Sequence, residues 1–179
     1  MPGRQLFRVP RQRLPFRRVN RRGDPDYQQG MQRHHLLPRQ LISQRCFGAL
    51  FDAVGWDRLG FEDFRRNGLL LPCDAEAAVR IGLPLHRGPH RAYNGLVAER
   101  VGQIEDSWAR QRRAIPERAI DQVFMRLNLL QSALRRRLLS ADWPRRRMSP
   151  AVALNPTLDF SELDAMADML WAETDPMRA

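Results

Sequence analysis

Apolar residues recur at three- and four-residue spacing through the second half of the chain, which is the period of an amphipathic helix. We expect one helix from Pro89 onward, because proline is favoured at the first helical position. A longer helix is expected over about 116–139, and a last one over about 161–172. The first two have apolar faces made of Tyr93, Val97, Val101, Ile104 and Trp108, and of Ile120, Val123, Phe124, Leu127, Leu130, Leu134 and Leu138.

Shorter apolar runs, interrupted by proline and glycine, fill the first half. Residues 31–37 predict a strand ended by Pro38, because the residue before a proline favours extended backbone. After the turn pair Asn67-Gly68, residues 69–71 predict a second strand, and residues 74–80 predict a short helix. Phe61 and Phe64 indicate another helical turn. Residues 39–54 predict a helix with one apolar face: Leu41, Ile42, Cys46, Ala49, Leu50 and Ala53. The pattern as a whole predicts an α+β fold that is mostly α.

The charge is basic and uneven. All 30 basic residues are Arg, and the formal net charge is +10. Residues 1–50 carry 11 Arg against two acids, residues 111–150 carry ten against three, and residues 151–179 carry one against six. A GC-rich genome explains Arg in place of Lys but not the excess of base over acid. Because guanidinium groups match phosphate geometry, we expect a polyanionic partner, with nucleic acid ahead of membrane.

Several classes of protein are excluded by composition. Two cysteines, Cys46 and Cys73, are too few for a disulfide scaffold and fit a reducing compartment. The sequence has no run of 18 apolar residues, so no membrane span is predicted. The N-terminus also lacks the apolar core of a secretory signal. We therefore expect a cytoplasmic protein, with secretion as a toxin effector left open. Residues 1–27, rich in Arg and Pro, predict either an arm that orders on nucleic acid or a solvated tail.

The histidines are the strongest chemical feature. The chain has only four, and they form two tight pairs: His34-His35, and His86 with His90. Neutral imidazole binds divalent transition metals, and its pKa near 6.5 also suits a general base at neutral pH. Four histidines at ligand-like spacing favour a metal or catalytic site over scattered structural roles.

The second pair has two interpretations. Residues four apart can share one face of a helix, so His86 and His90 could chelate one ion. Gly88 and Pro89 lie between them, and a helix that starts only at Pro89 would leave His86 in the preceding loop. His90 and Asn94 would then be the helical pair.

Three motifs follow one another along the chain: His34-His35-Leu36-Leu37-Pro38, Asn67-Gly68-Leu69-Leu70-Leu71-Pro72, and Leu85-His86-Arg87-Gly88-Pro89-His90-Arg91-Ala92-Tyr93-Asn94. Together they resemble the AHH family of the HNH/endonuclease VII superfamily of nucleases. The resemblance covers about residues 31–108. Arg33 stands where the family name implies Ala, a position where no chemistry is expected.

The resemblance implies a ββα-metal core around one divalent ion (Mg, Mn, Zn or Ni), with added helices and a C-terminal helical extension. It implies hydrolysis of phosphodiester bonds in DNA, with RNA left open, and a 5′-phosphate product. Carried over, His34 is a metal ligand, His35 is the general base that activates water, and Asn67 orients His35. The other expected residues are metal ligands His86 and His90, supporting Tyr93 and Asn94, and nucleic-acid contacts Arg33, Arg87, Arg91, Arg135, Arg136 and Arg137.

We predict three segments: a basic arm at 1–27, a nuclease domain at 28–112, and a helical extension with an acidic last helix at 113–179. The C-terminal helices could mediate a homodimer, and an immunity or inhibitor protein is a further candidate partner. The alternative function is a non-catalytic nucleic-acid-binding protein with a structural metal site. The intact histidine and asparagine motifs argue against it, and structural zinc usually recruits cysteine.

Overall fold

A computed structural model describes residues 12–86 and 91–140. These residues form one small antiparallel sheet and a set of helices, which confirms the predicted mostly-α α+β fold. The elements are a 3-10 turn at Phe16–Arg18, β1 (Met31–His35), α1 (Gln40–Ser43), a 3-10 turn at Arg45–Phe47, α2 (Gly48–Val54), α3 (Trp56–Leu59), α4 (Phe64–Asn67), β2 (Gly68–Pro72), α5 (Ala75–Ile81), α6 (Arg91–Gln111) and α7 (Pro116–Leu139).

The two predicted strands pair with each other. Met31 lies opposite Pro72, and His35 lies opposite Gly68 at the other end of the antiparallel ladder. Gly68 follows α4 directly, and a Cβ added there would lie 2.2 Å from the Phe64 ring. The Asn67-Gly68 pair is therefore a helix-to-strand junction whose glycine allows Phe64 to pack against the backbone.

The single helix predicted over 39–54 is wrong. Gln44 is extended, with ψ of 109°, and it divides the segment into α1, a 3-10 turn and α2. The apolar face was also misassigned, because Ile42, Cys46, Ala49 and Ala53 are exposed. The buried side chains include Leu41 and Phe47. Six positions separate these two, which would put them on different faces of one helix. The break at Gln44 lets both reach the core.

The two long helices follow the predicted pattern closely. All five predicted apolar residues of α6 are buried, from Tyr93 to Trp108. Helix α7 spans the predicted range and buries Ala119, Val123, Leu127, Leu134 and Leu138, with Gln131 also buried on that face. Ile120, Phe124 and Leu130 are only partly buried. The two helices pack on each other, and α7 also packs on α2. Their core continues to β2 and to Leu36 and Leu37, which follow β1.

The segment before β1 lies against the α4 region. The Phe64 N–H donates to Leu14 O at 2.7 Å, and the Leu14 N–H donates to Asp63 Oδ1 at 3.1 Å.

In the described ranges, no helix combines the length and apolar character needed to cross a bilayer. The predicted helix over 161–172, the acidic end of the chain and residues 1–11 lie outside the described residues.

Candidate active site

One face of β1 gathers aromatic and imidazole rings. His34 is only 4% exposed, and its ring centroid lies 4.9 Å from that of His86 and 4.9 Å from that of Tyr93. Both contacts are edge-on, at 80° and 64°. His86 reaches this place because its backbone N–H donates to Pro72 O at 2.6 Å, just after β2 ends. The two-stranded sheet and the start of α6 thus bring residues from the three predicted motifs together.

A glutamine orients the His86 ring. Its Nδ1 lies 3.0 Å from Gln32 Oε1, an acceptor, so the Nδ1–H donates and Nε2 becomes the nitrogen suited to coordination. Gln32 precedes His34 by two positions and therefore shares its face of the strand. Hydrogen bonds of this kind fix the tautomer and orientation of metal-binding histidines in proteins. No pattern in the sequence had pointed to Gln32.

The donor chemistry on this face fits a divalent ion. Two of the three predicted ligands, His34 and His86, converge beside Tyr93, and neutral imidazole is a common ligand for such ions. The third, His90, lies in residues 87–90, which fall between the described ranges. Within those ranges, no group of three or more His, Cys, Asp or Glu side chains is placed to hold an ion.

His35 lies on the opposite face of β1. Its ring stacks on Phe16 with centroids 3.7 Å apart and planes at 4°, and Phe61 lies 6.1 Å away. Burial lowers the pKa of His35 to about 4, with further lowering from the positive charges of Arg39 and Arg33. His35 Nε2 is buried, with no hydrogen-bond partner in the described part of the chain. The imidazole is therefore neutral across the ordinary pH range.

The adjacent histidines thus occupy separate environments. His34 belongs to the cluster with His86 and Tyr93, whereas His35 belongs to an apolar contact with Phe16. The structure does not bring the two rings into one cluster. Both residues end β1, where the strand turns into the loop at residues 36–38.

Asn67 holds that loop. The side chain is fully buried, and its Oδ1 accepts from the Leu37 N–H at 2.7 Å and from Gln131 Nε2 at 3.2 Å. Its Nδ2 donates to Leu37 O at 3.2 Å and to Phe61 O at 3.0 Å. The Leu36 N–H donates to the Asn67 backbone carbonyl at 2.8 Å. Asn67 therefore acts on the backbone that follows the histidine pair.

Gln131 was not predicted as a site residue, although its position in the apolar stripe of α7 is a signal in the sequence. It is the one polar residue among the buried positions of the α7 stripe, only 3% exposed, and it contacts Asn67. A polar residue that interrupts an apolar face normally has a hydrogen-bond partner, because burying an unpaired amide is costly. Its partner lies 64 positions away in sequence.

The two supporting residues connect α6 to the loop after β1 and to the start of α1. The buried Tyr93 hydroxyl donates to Leu36 O at 2.7 Å, and burial raises its pKa above the usual range for tyrosine. Asn94 Nδ2 donates to Gln40 Oε1 at 3.0 Å, at the start of α1. Both contacts position the helix that carries Tyr93 next to His34.

The predicted nucleic-acid contacts divide into two kinds. Arg33, Arg91 and Arg136 are exposed, although Arg33 Nη1 also donates to Phe16 O at 2.8 Å. Arg135 is half-buried, its pKa is lowered by burial, and its Nη2 donates to Arg65 O at 2.9 Å and to Arg66 O at 3.3 Å. Arg137 is also partly buried, and Arg87 lies outside the described residues.

Residues 15–133 match the family model named AHH, a nuclease family of the HNH/ENDO VII superfamily with conserved AHH. The chain belongs to the AHH family of nucleases. The match begins before β1 and reaches into α7, so it includes both Phe16 and Gln131 beside the three motifs. A nuclease acts on nucleic acid, and this superfamily generally uses a divalent metal. No curated protein and no solved structure matched this AHH protein.

Proposed function

We propose that this AHH protein is a metal-dependent endonuclease that hydrolyses phosphodiester bonds of DNA. The observation that carries the proposal is that the two faces of β1 hold histidines in different surroundings. One face bears a histidine cluster with ligand chemistry, and the other bears a half-buried imidazole held by stacking. Adjacent strand positions point to opposite faces, so they give a ligand and a base the distinct surroundings that their separate roles require.

The residues take separate roles in this proposal. His34, His86 and His90 would hold one divalent ion (Mg, Mn, Zn or Ni), which would stabilise charge on the scissile phosphate and the leaving oxygen. His35 accepts a proton from water as the water oxygen attacks phosphorus, the bond from phosphorus to the 3′ oxygen breaks, and the leaving oxygen takes a proton from solvent. The products are a 5′-phosphate and a 3′-hydroxyl. Asn67 is a positioning residue that fixes the loop after His35.

A cleavage panel tests the proposal. Purified protein is incubated with supercoiled plasmid or labelled RNA, in EDTA and with each of the four candidate ions. We expect nicking of plasmid by wild type with at least one ion, and none in EDTA. His35→Ala should abolish nicking while preserving the circular dichroism spectrum. Equal activity in His35→Ala would exclude the assigned base.

Calorimetric titration with the active ion separates the two histidine roles. His34→Ala should weaken ion binding, because it removes a ligand, whereas His35→Ala should bind the ion like wild type. Salt-sensitive binding of DNA without cleavage under any ion would favour the alternative, a nucleic-acid-binding protein with a structural metal site. Faster cleavage of RNA than of plasmid would change the substrate.

The boundaries at 27/28 and 112/113, cytoplasmic location, a homodimer and an immunity or inhibitor partner stay predictions. Residues 14–20 and helix α7 both contact the proposed nuclease core. We therefore propose that the catalytic unit uses parts of all three segments.

A further inference from the structure

Residues 15–22, here called the strap, form an unbalanced positive surface before β1. They carry Arg17, Arg18, Arg21 and Arg22, all of them exposed, and no acidic residue. Asp24 and Asp26 follow in sequence, but no strap arginine forms an ion pair with any carboxylate of the described residues. Exposed arginines without carboxylate partners are available to an anionic ligand.

The strap is held in place at both ends. At its start, Pro15 bridges to Asp63, and the preceding Leu14 exchanges the hydrogen bonds with Asp63 and Phe64 given above. At its far end, Asn20 Nδ2 donates to Met31 O and Gln28 O, each at 3.0 Å. The arginines are therefore carried on ordered backbone, which reduces the entropy lost when a ligand is bound.

The strap lies against the proposed base. The Phe16 ring stacks on His35, and Arg33 Nη1 holds the Phe16 carbonyl at 2.8 Å. Arg17 and Arg18 follow Phe16 directly, in the same 3-10 turn. Their side chains therefore start from the backbone next to the Phe16 ring that stacks on His35.

Helix α7 offers a less available cationic surface. Arg135 donates to the carbonyls of Arg65 and Arg66, and Arg137 Nε is buried. Of Arg135, Arg136 and Arg137 in α7, only Arg136 is exposed, whereas all four strap arginines are exposed. These three α7 arginines were half of the six nucleic-acid contacts predicted from the sequence.

We propose that the strap is the main nucleic-acid-binding surface of this protein and holds backbone phosphates on either side of the scissile one. The inference rests on the proposed endonuclease function for the position of that phosphate. Contacts of this kind are independent of base sequence and make binding strongly dependent on salt.

Binding measured without cleavage tests the strap. The full chain is titrated into a fluorescein-labelled DNA duplex in EDTA, and anisotropy is followed between 50 and 300 mM KCl. The strap variant is R17Q/R18Q/R21Q. Its matched control, R110Q/R113Q/R118Q, removes the same charge from exposed positions around the far end of α6, about 25 Å along that helix from Tyr93.

We expect the strap variant to bind at least about 10-fold more weakly at 100 mM salt, with a salt slope shallower by about 2 to 3. The control should stay within about 3-fold of wild type with an unchanged slope, because its arginines lie outside the interface. An equal loss in both variants would show that only net charge matters, and no loss in either would remove the strap from the interface. Both results overturn the proposal.

Two further variants keep the test decisive. R17K/R18K/R21K retains the charge and should keep the salt slope, although Lys loses the forked hydrogen bonds of Arg. If the triple Gln variant fails to fold by circular dichroism, R18Q and R21Q are measured singly against R113Q. Binding through the strap without cleavage under any ion would refute only the endonuclease function. Cleavage with unchanged binding by the strap variant would refute only the present inference.

Discussion

The Phe16 ring lies parallel to the His35 imidazole, with centroids 3.7 Å apart and planes at 4°. Phe16 itself is only 8% exposed, and its edge packs on Phe64. The residue proposed to activate water is therefore oriented by a side chain that precedes the two-stranded sheet. His35 is at once desolvated and restricted to one ring plane by this contact.

Substitutions of Phe16 distinguish the effect of its stacked ring on kcat from the effect of its buried apolar volume on stability. Phe16→Leu should lower kcat for plasmid nicking at least about 10-fold with little change in KM, because the His35 ring loses its parallel neighbour. Phe16→Tyr should restore most of kcat. Phe16→Ala should also lower the free energy of unfolding, by about 3 kcal/mol, through lost burial. Steady-state cleavage and urea unfolding provide the measurements, and a higher kcat in Phe16→Leu would show that Phe16 obstructs the site instead.

The buried Asn67 amide should be important for stability. Asn67→Ala leaves the N–H and C=O of Leu37 without the amide that pairs them, so we expect the free energy of unfolding to fall by about 3 kcal/mol. Gln131→Leu is the matched control. It removes only the bond to Asn67 Oδ1, which keeps its Leu37 partner, and should cost about 1 kcal/mol. Equal losses in urea unfolding would contradict this distribution of the hydrogen bonds.

Gln32 should influence metal affinity without binding the ion. Gln32→Ala removes the acceptor that orients His86, so we expect the dissociation constant of the active ion to rise about 10-fold by calorimetry. Gln40→Ala removes a similar bond, to Asn94 on the α6 side, and should leave the constant within about 3-fold. An unchanged dissociation constant in Gln32→Ala would show that the hydrogen bond from His86 to Gln32 does not affect ion binding.

Tyr93 should contribute through its hydroxyl to folding and through its ring to the site. Tyr93→Phe leaves the buried Leu36 carbonyl without this donor, which should cost about 1 to 2 kcal/mol in urea unfolding. The aromatic edge beside His34 is retained, so ion affinity should change less than in Gln32→Ala. A larger loss of ion affinity than of stability would instead assign the hydroxyl to the metal site.

Gly68 should tolerate no side chain. A Cβ there would meet the Phe64 ring at 2.2 Å, so Gly68→Ala should lower the free energy of unfolding by about 2 kcal/mol. In Gly102→Ala the added Cβ meets nothing within 4 Å, and the substitution lies inside α6. That variant should be unchanged or more stable by up to about 1 kcal/mol, because alanine has the higher helix propensity. Thermal unfolding compares the two.

Local interactions explain what the sequence by itself determined. The ends of α7, from Pro116 to Leu139, follow from a proline start and a continuous apolar period, both of which act within a few residues. The strand at 68–72 follows from a short apolar run ended by Pro72. The strand predicted over 31–37 ends at His35, before the apolar pair Leu36-Leu37. The family followed from motifs of the same local kind, including the four histidines.

Contacts between distant segments decided the rest. The helix over 39–54 was broken because Leu41 and Phe47 both had to reach a core that other elements complete. Phe16 on His35 and Gln131 on Asn67 join residues 19 and 64 positions apart, and no local pattern encodes such pairs. Strand alternation separates the faces of His34 and His35, but only tertiary packing determines that one meets imidazole and the other an apolar ring.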